Sequence, residues 1–242
     1  MDYNSIMSTK IQGIAPSGIR KFFDILNEME DAISLGVGEP DFVTPWHIRN
    51  AGIHSLEKGH TKYTSNAGML SLRTEISGYL RRRFDLSYDP MGQILVTVGG
   101  SEAIDIAIRV LVNPGDEVIV PVPSFVCYGP LVTMAGGVPV YVQTKRENEF
   151  RLMPDELRAA ISPKTKLVVL PYPCNPTGGI MERRDLEALV PVLEGSNIMI
   201  LSDEIYAELT YGVKHTSPAN IEALHERTIV VNGFSKCYAM TG

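Results

Sequence analysis

From about residue 94 onward, short apolar runs rich in β-branched residues alternate with segments of helical spacing. The runs predict six strands, at Ile94–Val98, Glu117–Val120, Val138–Val142, Lys166–Leu170, Asn197–Leu201 and Ile229–Val231. The segments between them predict helices at Glu102–Val112, Ser124–Ala135, Pro154–Ile161 and Glu182–Glu194. Strands that alternate with helices are joined by right-handed crossovers, which produce a mainly parallel sheet covered on both faces. The pattern therefore predicts an α/β domain with three layers, α/β/α.

The first part of the chain is less regular. Thr44, as an N-cap, predicts a helix over Pro45–Lys58, and a second helix is predicted over Met69–Phe84. Upstream of them lie a short amphipathic stretch, Ile19–Met29, and a predicted strand that runs into a glycine-rich turn, Ser34–Asp41.

Composition narrows the class of protein. With 242 residues and 44% hydrophobic content, the chain can form one large domain with a small appendage. The net charge of -6 argues against a general nucleic-acid binder. Three cysteines without metal-type spacing suit a reducing compartment, and no metal site is expected. Neither a signal peptide nor an apolar run of about 18 residues is visible, so we expect a soluble, cytoplasmic protein with no membrane partner.

Ligands of parallel sheets bind beyond the carboxyl ends of the strands, and several polar groups follow the predicted strands. Gly99-Gly100-Ser101-Glu102 opens a helix and can bind a phosphate, although it could equally be an ordinary helix entry. Asn175 lies in a proline-rich turn and could be a simple turn residue. Asp203 ends a buried strand, where a carboxylate is costly without a cationic partner; alternatively it caps the next turn.

A lysine, a phenol and an aromatic ring complete this set. Lys236 follows the last predicted strand, where partial desolvation favours a neutral, nucleophilic amine, although a lone lysine is usually a surface residue. Tyr206 follows Asp203, and either Phe125 or Tyr128 could cover a flat ring or belong to the core. The ligand that fits all these groups is flat, phosphorylated and aldehyde-bearing, with a ring nitrogen that needs an acidic partner. Pyridoxal phosphate has each of these features.

These motifs resemble those of the fold-type I, class I/II pyridoxal-phosphate aminotransferases, the aspartate and aromatic aminotransferase-like enzymes. The resemblance runs from about Ile14 to the last residue. It is carried by Gly36-Val-Gly-Glu-Pro-Asp41, Lys62-Tyr63-Thr64, Gly99-Gly100-Ser101, Asn175-Pro176-Thr177-Gly178, Asp203-Glu-Ile-Tyr206 and Ser235-Lys236. The last three motifs, in this order, are highly specific.

The resemblance implies a role for each matching residue. Lys236 would form the Schiff base with the cofactor and move the proton at the α-carbon of the amino acid, while Asp203 would keep the pyridine nitrogen protonated. The remaining cofactor contacts would come from Tyr206 and Asn175 at the phenolate oxygen, Phe125 on the ring, and Gly100, Ser101, Glu102 and Ser235 around the phosphate. Gly38 would contact the substrate carboxylate through its backbone. Tyr63 would reach the phosphate in a neighbouring subunit, which implies a homodimer.

The chain departs from the family at its carboxyl end. In the family, the segment after Met240-Thr-Gly242 continues with a phosphate-binding arginine, a further sheet strand and most of a small domain. The resemblance therefore implies a carboxyl-terminally truncated large domain, residues 46–242, preceded by an amino-terminal arm and part of the small domain, residues 1–45. We expect the 242-residue chain alone to be inactive.

The expected activity is transfer of an amino group between an L-amino acid and a 2-oxo acid. Two alternatives stay open: a carbon–sulfur β-lyase on the same scaffold, and a pyridoxal-phosphate-binding module without catalytic activity.

Overall fold

A computed structural model describes residues 3–15 and 38–242 of the chain. The predicted amphipathic stretch Ile19–Met29 and the first residues of the predicted strand and turn at Ser34–Asp41 lie outside the described residues. The helices are α1 (Thr9–Gln12), α2 (Trp46–Glu57), α3 (Leu70–Phe84), α4 (Gly99–Leu111), α5 (Tyr128–Ala135), α6 (Pro154–Ala160), α7 (Arg183–Glu187), α8 (Val190–Leu193), α9 (Glu222–His225) and α10 (Phe234–Cys237). The strands are β1 (Glu117–Val122), β2 (Val138–Gln143), β3 (Thr165–Leu170), β4 (Met199–Asp203) and β5 (Thr228–Val231). Short 3-10 turns occur at Tyr3–Ser5, Arg146–Asn148 and Pro218–Asn220.

The five strands form one sheet in the order β2-β1-β3-β4-β5, and every pairing between neighbours is parallel. The central strand β3 is buried along most of its length, as its run of β-branched and leucine residues predicts. The carboxyl ends of β4 and β5 are in register, because Asp203 pairs with Val231. The predicted parallel sheet is confirmed.

Helices cover both faces of the sheet, which confirms the three-layer architecture. On one face, α4 and α5 pack against alternate strand residues in a core that includes Ile104, Ile108, Val132, Leu167, Val169 and Leu201. On the other face, α6 to α9 pack in a core that includes Leu157, Val168, Leu186, Leu193, Ile200 and Leu224. Successive residues of β4 therefore point into different cores, with Ile200 on one side and Leu201 on the other.

The prediction of a strand at Ile94–Val98 is wrong, and the part of the sheet formed by residues 3–15 and 38–242 has five strands where six were predicted. The segment Ile94–Thr97 has no ladder partner in the described ranges; its Val96 N–H donates to the Ala67 carbonyl instead. A cavity of about 560 Å³ separates this segment from β5 and from the start of the following loop. The hydrophobic pattern of a strand is present, but pairing needs a neighbour that the described residues do not supply.

Two of the predicted helices differ markedly from the helices of the structure. The helix predicted over Glu182–Glu194 is two helices, α7 and α8, because Pro191 lacks the N–H that a continuous helix would direct at Glu187. The helix predicted from Ser124 begins at Tyr128, since residues 124–127 form the turn that leaves β1.

The capping of α2 was predicted incorrectly. The N-cap position is Pro45, and the helix begins at Trp46. The Thr44 hydroxyl does not cap the helix but donates to the Ala239 carbonyl at 2.5 Å, just beyond Lys236. Thr44 thus ties the segment before α2 to the carboxyl-terminal loop.

Candidate active site

Asp203 is the last residue of β4 and is 7% exposed at the carboxyl end of the sheet. Its Oδ2 accepts a hydrogen bond from the Tyr128 hydroxyl at 2.7 Å, and its Oδ1 accepts one from the Ile205 N–H at 3.2 Å. Burial raises the pKa of the Asp203 carboxyl, the two hydrogen bonds oppose that rise, and the neighbouring Glu204 adds to it. A carboxylate held in this way is ready to meet a protonated group brought by a ligand.

Lys236 lies in α10, the short helix after β5, and is half-buried. Its Nζ donates to the Gly38 carbonyl at 2.7 Å and lies 5.7 Å from the centre of the Tyr206 ring. The loop around it is fixed by the Met240 N–H, which donates to the Ser235 carbonyl at 3.0 Å. The lysine predicted from the sequence therefore lies in the site and next to the predicted phenol.

Tyr206, Asn175 and Gly38 surround the lysine. Asn175 hydrogen-bonds with the Tyr206 hydroxyl, which lowers the pKa of that phenol, while burial and Asp203 raise it more strongly. A Cβ placed on Gly38 would lie 3.9 Å from the Tyr206 hydroxyl, so the backbone of Gly38 approaches the phenol closely. The structure thus brings together four groups that lie far apart in the sequence.

The glycine-rich entry to α4 lies beside these groups. A Cβ on Gly100 would be 3.7 Å from Val231 and 3.9 Å from Ile205, which places the first turn of α4 against the ends of β4 and β5. Gly99 has a positive φ of 79°, a conformation that favours glycine. The 13-residue helix directs its dipole and its free N–H groups toward this edge of the sheet, an arrangement that suits a phosphate.

Ser101 and Glu102 are exposed in the first turn of α4. The Glu102 carboxylate accepts a hydrogen bond from the Val98 N–H in its own loop. In this structure Glu102 therefore stabilises the helix entry, and the free N–H groups of the turn are the better phosphate donors. Ser235 is half-buried beside Lys236 and lines the edge of the cavity next to β5.

The two aromatic residues predicted to contact the cofactor, Phe125 and Tyr63, lie in different surroundings. Phe125 is 39% exposed and packs edge-to-face, with ring centres 6.3 Å apart, on Tyr128, whose hydroxyl binds Asp203. Tyr63 is fully exposed, and none of its contacts in the described ranges is to the groups around Lys236. Its predicted role requires a second subunit.

The sequence reasoning did not select two residues that the structure connects to Asp203. Tyr128 was considered only as an alternative to Phe125 for covering a ring, yet it is 2% exposed and its hydroxyl binds Asp203. Its position three residues after Phe125, in the helix predicted to follow the strand Glu117–Val120, was the available signal. Glu204 is 1% exposed and binds His215 on the opposite side of β4, and no motif pointed to that pair.

Comparison with known proteins identifies the family of the chain. The family described as aminotransferase class I and II matches residues 30–242. The chain belongs to the class I and II aminotransferases. It is 52% identical over 238 residues to a Bacillus subtilis protein named as an aminotransferase, covering 98% of this chain and 62% of that protein.

An aspartate aminotransferase of Pyrococcus abyssi is 44% identical, with 98% of this chain and 61% of that protein covered. The crystal structure of the aspartate aminotransferase from Rhizobium meliloti superposes with a TM-score of 0.93 at 35% identity, over 98% of this chain and 60% of that one. The chain therefore spans about 60% of the length of these relatives.

The aminotransferases of this family depend on pyridoxal phosphate, and the side chains described above fit that cofactor. The buried Asp203 carboxylate is an acidic partner for a ring nitrogen, and Lys236 supplies the amine for an aldehyde. Among residues 3–15 and 38–242, no group of three or more His, Cys, Asp or Glu side chains is placed to hold a metal ion. No helix in the same ranges has the length and apolar content needed to cross a membrane.

Proposed function

We propose that the protein containing this chain is an aminotransferase that moves an amino group between an L-amino acid and a 2-oxo acid. The observation that supports this most is the buried Asp203 carboxylate at the carboxyl end of β4, with Lys236 and Tyr206 in contact beside it. Bound pyridoxal phosphate supplies an electron sink for a carbanion at the α-carbon of the amino acid.

The residues of the chain would hold the cofactor and move the proton. Asp203 would keep a proton on the ring nitrogen, while Tyr206 and Asn175 would hydrogen-bond the phenolate oxygen. Phe125 would cover the ring. The turn formed by Gly100, Ser101 and Glu102 would hold the phosphate, together with Ser235. These assignments are supported by the contacts among Tyr206, Asn175 and Asp203 and by the position of α4.

Lys236 would both bond to the cofactor and carry the proton to and from the α-carbon. Its Nζ is the amine next to the Gly38 carbonyl and the Tyr206 ring, so it can reach a substrate whose carboxylate lies against the backbone of Gly38. Water is kept away from the acid by the burial of Asp203 and Tyr128.

The proposal includes a homodimer in the cytoplasm that serves amino-acid metabolism, including biosynthesis. None of the residues of α2 is buried in this structure. Trp46 and Leu56 on the helix, and the nearby Phe42, are strongly exposed. An apolar surface of this kind fits a second copy of the chain. Tyr63, which is fully exposed on the same segment, would then reach the phosphate of the partner's site.

The test is to supply amino acids and 2-oxo acids to the protein and to follow both products. We expect stoichiometric transfer: for each amino acid consumed, one oxo acid and one new amino acid are formed. Pyruvate and ammonia released from a cysteine conjugate without an acceptor would instead identify a carbon–sulfur β-lyase. Cofactor binding without turnover of any amino acid would identify a non-catalytic module, and either result would overturn the proposal.

A further inference from the structure

A buried polar cluster lies directly behind Asp203, on the opposite face of β4. Glu204 is 1% exposed in its side chain and His215 is 5% exposed. The His215 Nε2 lies 2.9 Å from Glu204 Oε2. Glu204 Oε1 accepts hydrogen bonds from the Ser202 hydroxyl at 2.8 Å and from the Ser217 hydroxyl at 2.6 Å. We call these four residues the Glu204 cluster.

The charge of this cluster has to be balanced internally. Both oxygens of Glu204 are shielded from water, and a buried carboxylate is costly unless a cation meets it. The two serine hydroxyls donate hydrogen bonds but carry no charge. Among residues 3–15 and 38–242, His215 is the one basic side chain within contact distance of Glu204. Its Nε2 bears a proton when it faces an ionised carboxylate oxygen, both in the neutral ring with that tautomer and in the imidazolium.

The cluster is connected to the candidate active site through the backbone. The Glu204 N–H donates to the Val231 carbonyl at 2.8 Å, which joins the ends of β4 and β5 just before the Lys236 loop. The Ala207 N–H donates to the Glu204 carbonyl at 2.9 Å, and this turn carries Tyr206. Ser217 caps the turn Pro218–Asn220, so the cluster also fixes the segment that covers this face.

We propose that Glu204 and His215 form a buried carboxylate–imidazolium pair that sets the charge and the position of Asp203. Glu204 and His215 are positioning residues, because both lie on the side of β4 opposite to the Asp203 side chain. Glu204 alone is a negative charge next to a second carboxylate, which disfavours ionisation of Asp203. The His215 imidazolium cancels most of that charge and lets Asp203 remain ionised opposite a protonated ring nitrogen.

Within the described part of the chain, few groups face these carboxylates, so the coupling can be isolated. Those that influence Asp203 are Tyr128, Glu204, Tyr206, Cys127 and Cys174; those that face Glu204 are His215, Asp203, Tyr88 and the two serines. His215 also packs edge-on against the Phe84 ring with centres 5.8 Å apart. His225 offers a matched control, because it lies nearby, stacked on Tyr88, and its Nδ1 contacts the Ala219 carbonyl at 2.7 Å instead of a carboxylate.

The importance of Asp203 for catalysis rests on the proposed function. The coupling between the Glu204 cluster and Asp203 is measured without cofactor or substrate, so the coupling and the proposed function can fail separately. Cofactor-free protein carrying labelled aspartate is titrated with pH, and the Asp203 carboxyl carbon is followed by NMR. The variant Asp203→Asn assigns the signal. Nitrogen-15 chemical shifts of His215 report its protonation state directly.

We expect Glu204→Gln to shift the Asp203 titration to lower pH and His215→Gln to shift it to higher pH, each by roughly tenfold in the acid dissociation constant. His225→Gln should leave the titration unchanged, and His215 should show two protonated ring nitrogens at neutral pH. A purely structural cluster would lower the melting temperature in both variants without moving the Asp203 titration, and that result would overturn the proposal. If Glu204→Gln does not fold, His215→Gln decides, because it keeps the carboxylate and removes only the cation.

Discussion

At the scale of single residues, Asp203 combines a cost in stability with the role that we propose for it in the chemistry. Burial raises its pKa above the ordinary value of 3.8, so the folded chain retains the proton at pH values where the unfolded chain has lost it. The neutral carboxyl therefore contributes stability at low pH that is lost as pH rises through the folded-state pKa.

Asp203→Asn removes this ionisation. We expect the cofactor-free variant to gain stability relative to the parent as pH rises above about 4, reaching a plateau beyond the folded-state pKa. Amino transfer should fall roughly 10²- to 10³-fold, because a neutral amide cannot keep the ring nitrogen protonated. Unfolding curves measured across pH test the predicted change in stability, and turnover assays test the predicted loss of activity. Turnover close to that of the parent would show that Asp203 has no role in the site.

Tyr128→Phe isolates the hydrogen bond to the same carboxylate. The Tyr128 hydroxyl donates to Asp203 Oδ2 at 2.7 Å and lowers the pKa of that carboxyl. Removing the hydroxyl should shift the Asp203 titration to higher pH and slow amino transfer, while the buried ring still fills its place in the core. Tyr141→Phe is the control, since Tyr141 is 55% exposed on β2. An Asp203 titration that moves equally in both variants would contradict this assignment.

At the scale of elements, the entry to α4 depends on one left-handed residue. Gly99 has φ 79°, whereas a Cβ on the following Gly100 would make only ordinary contacts at 3.7 and 3.9 Å. Gly99→Ala should therefore destabilise the protein by about 1–2 kcal/mol and weaken cofactor binding through a displaced helix terminus. Gly100→Ala should cost less than that in denaturant unfolding. Equal losses of stability in the two variants would show that the backbone at Gly99 is not the cause.

The elements also show what sequence patterns can and cannot predict. Runs such as Lys166–Leu170 were confirmed as strands because a buried parallel strand needs little beyond continuous apolar, β-branched residues. Ile94–Val98 has the same pattern and no strand, because a strand also requires a paired neighbour. The break between α7 and α8 could have been predicted from Pro191, because proline lacks the backbone N–H. The apolar spacing continues across Pro191, however, and therefore predicted one continuous helix.

Candidate site residues with distinctive chemistry could be selected from the sequence, whereas residues that act through contacts could not. Lys236, Asp203 and Tyr206 follow predicted strands, and the rule for parallel sheets collects them at one edge. The Glu204–His215 contact joins residues whose spacing matches no motif, so only the folded chain reveals it. The contribution of Tyr63 stays a prediction, because it depends on a second subunit.

At the scale of the whole molecule, the cavity beside β5 limits what the 242-residue chain can do alone. In the described ranges β5 pairs only with β4, so one of its edges faces the cavity. Two polar atoms that line this region, the Tyr88 hydroxyl and the Asn232 side-chain nitrogen, are buried without a hydrogen-bond partner there. An unpaired edge, an apolar lining and unsatisfied polar atoms together reduce stability and favour aggregation.

We therefore expect the chain expressed alone to aggregate or to bind pyridoxal phosphate weakly, and to give no measurable amino transfer. Hydrogen exchange should be faster in the amides of β5 than in those of β3, which has neighbours on both sides, and a hydrophobic dye should bind. A soluble, monodisperse 1–242 chain with the yellow colour of bound cofactor and with amino-acid turnover would contradict this expectation.

The central claim, that the groups at the ends of β4 and β5 hold pyridoxal phosphate covalently, is tested most directly by chemical trapping. The protein is loaded with the cofactor, reduced with borohydride and mapped by peptide mass spectrometry, with Lys236→Arg as the matched variant that keeps the charge. The account predicts a pyridoxyl group on Lys236, whose Nζ lies in the site 2.7 Å from the Gly38 carbonyl, and no label in the variant. A label on another lysine, or equal labelling of the variant, would contradict it.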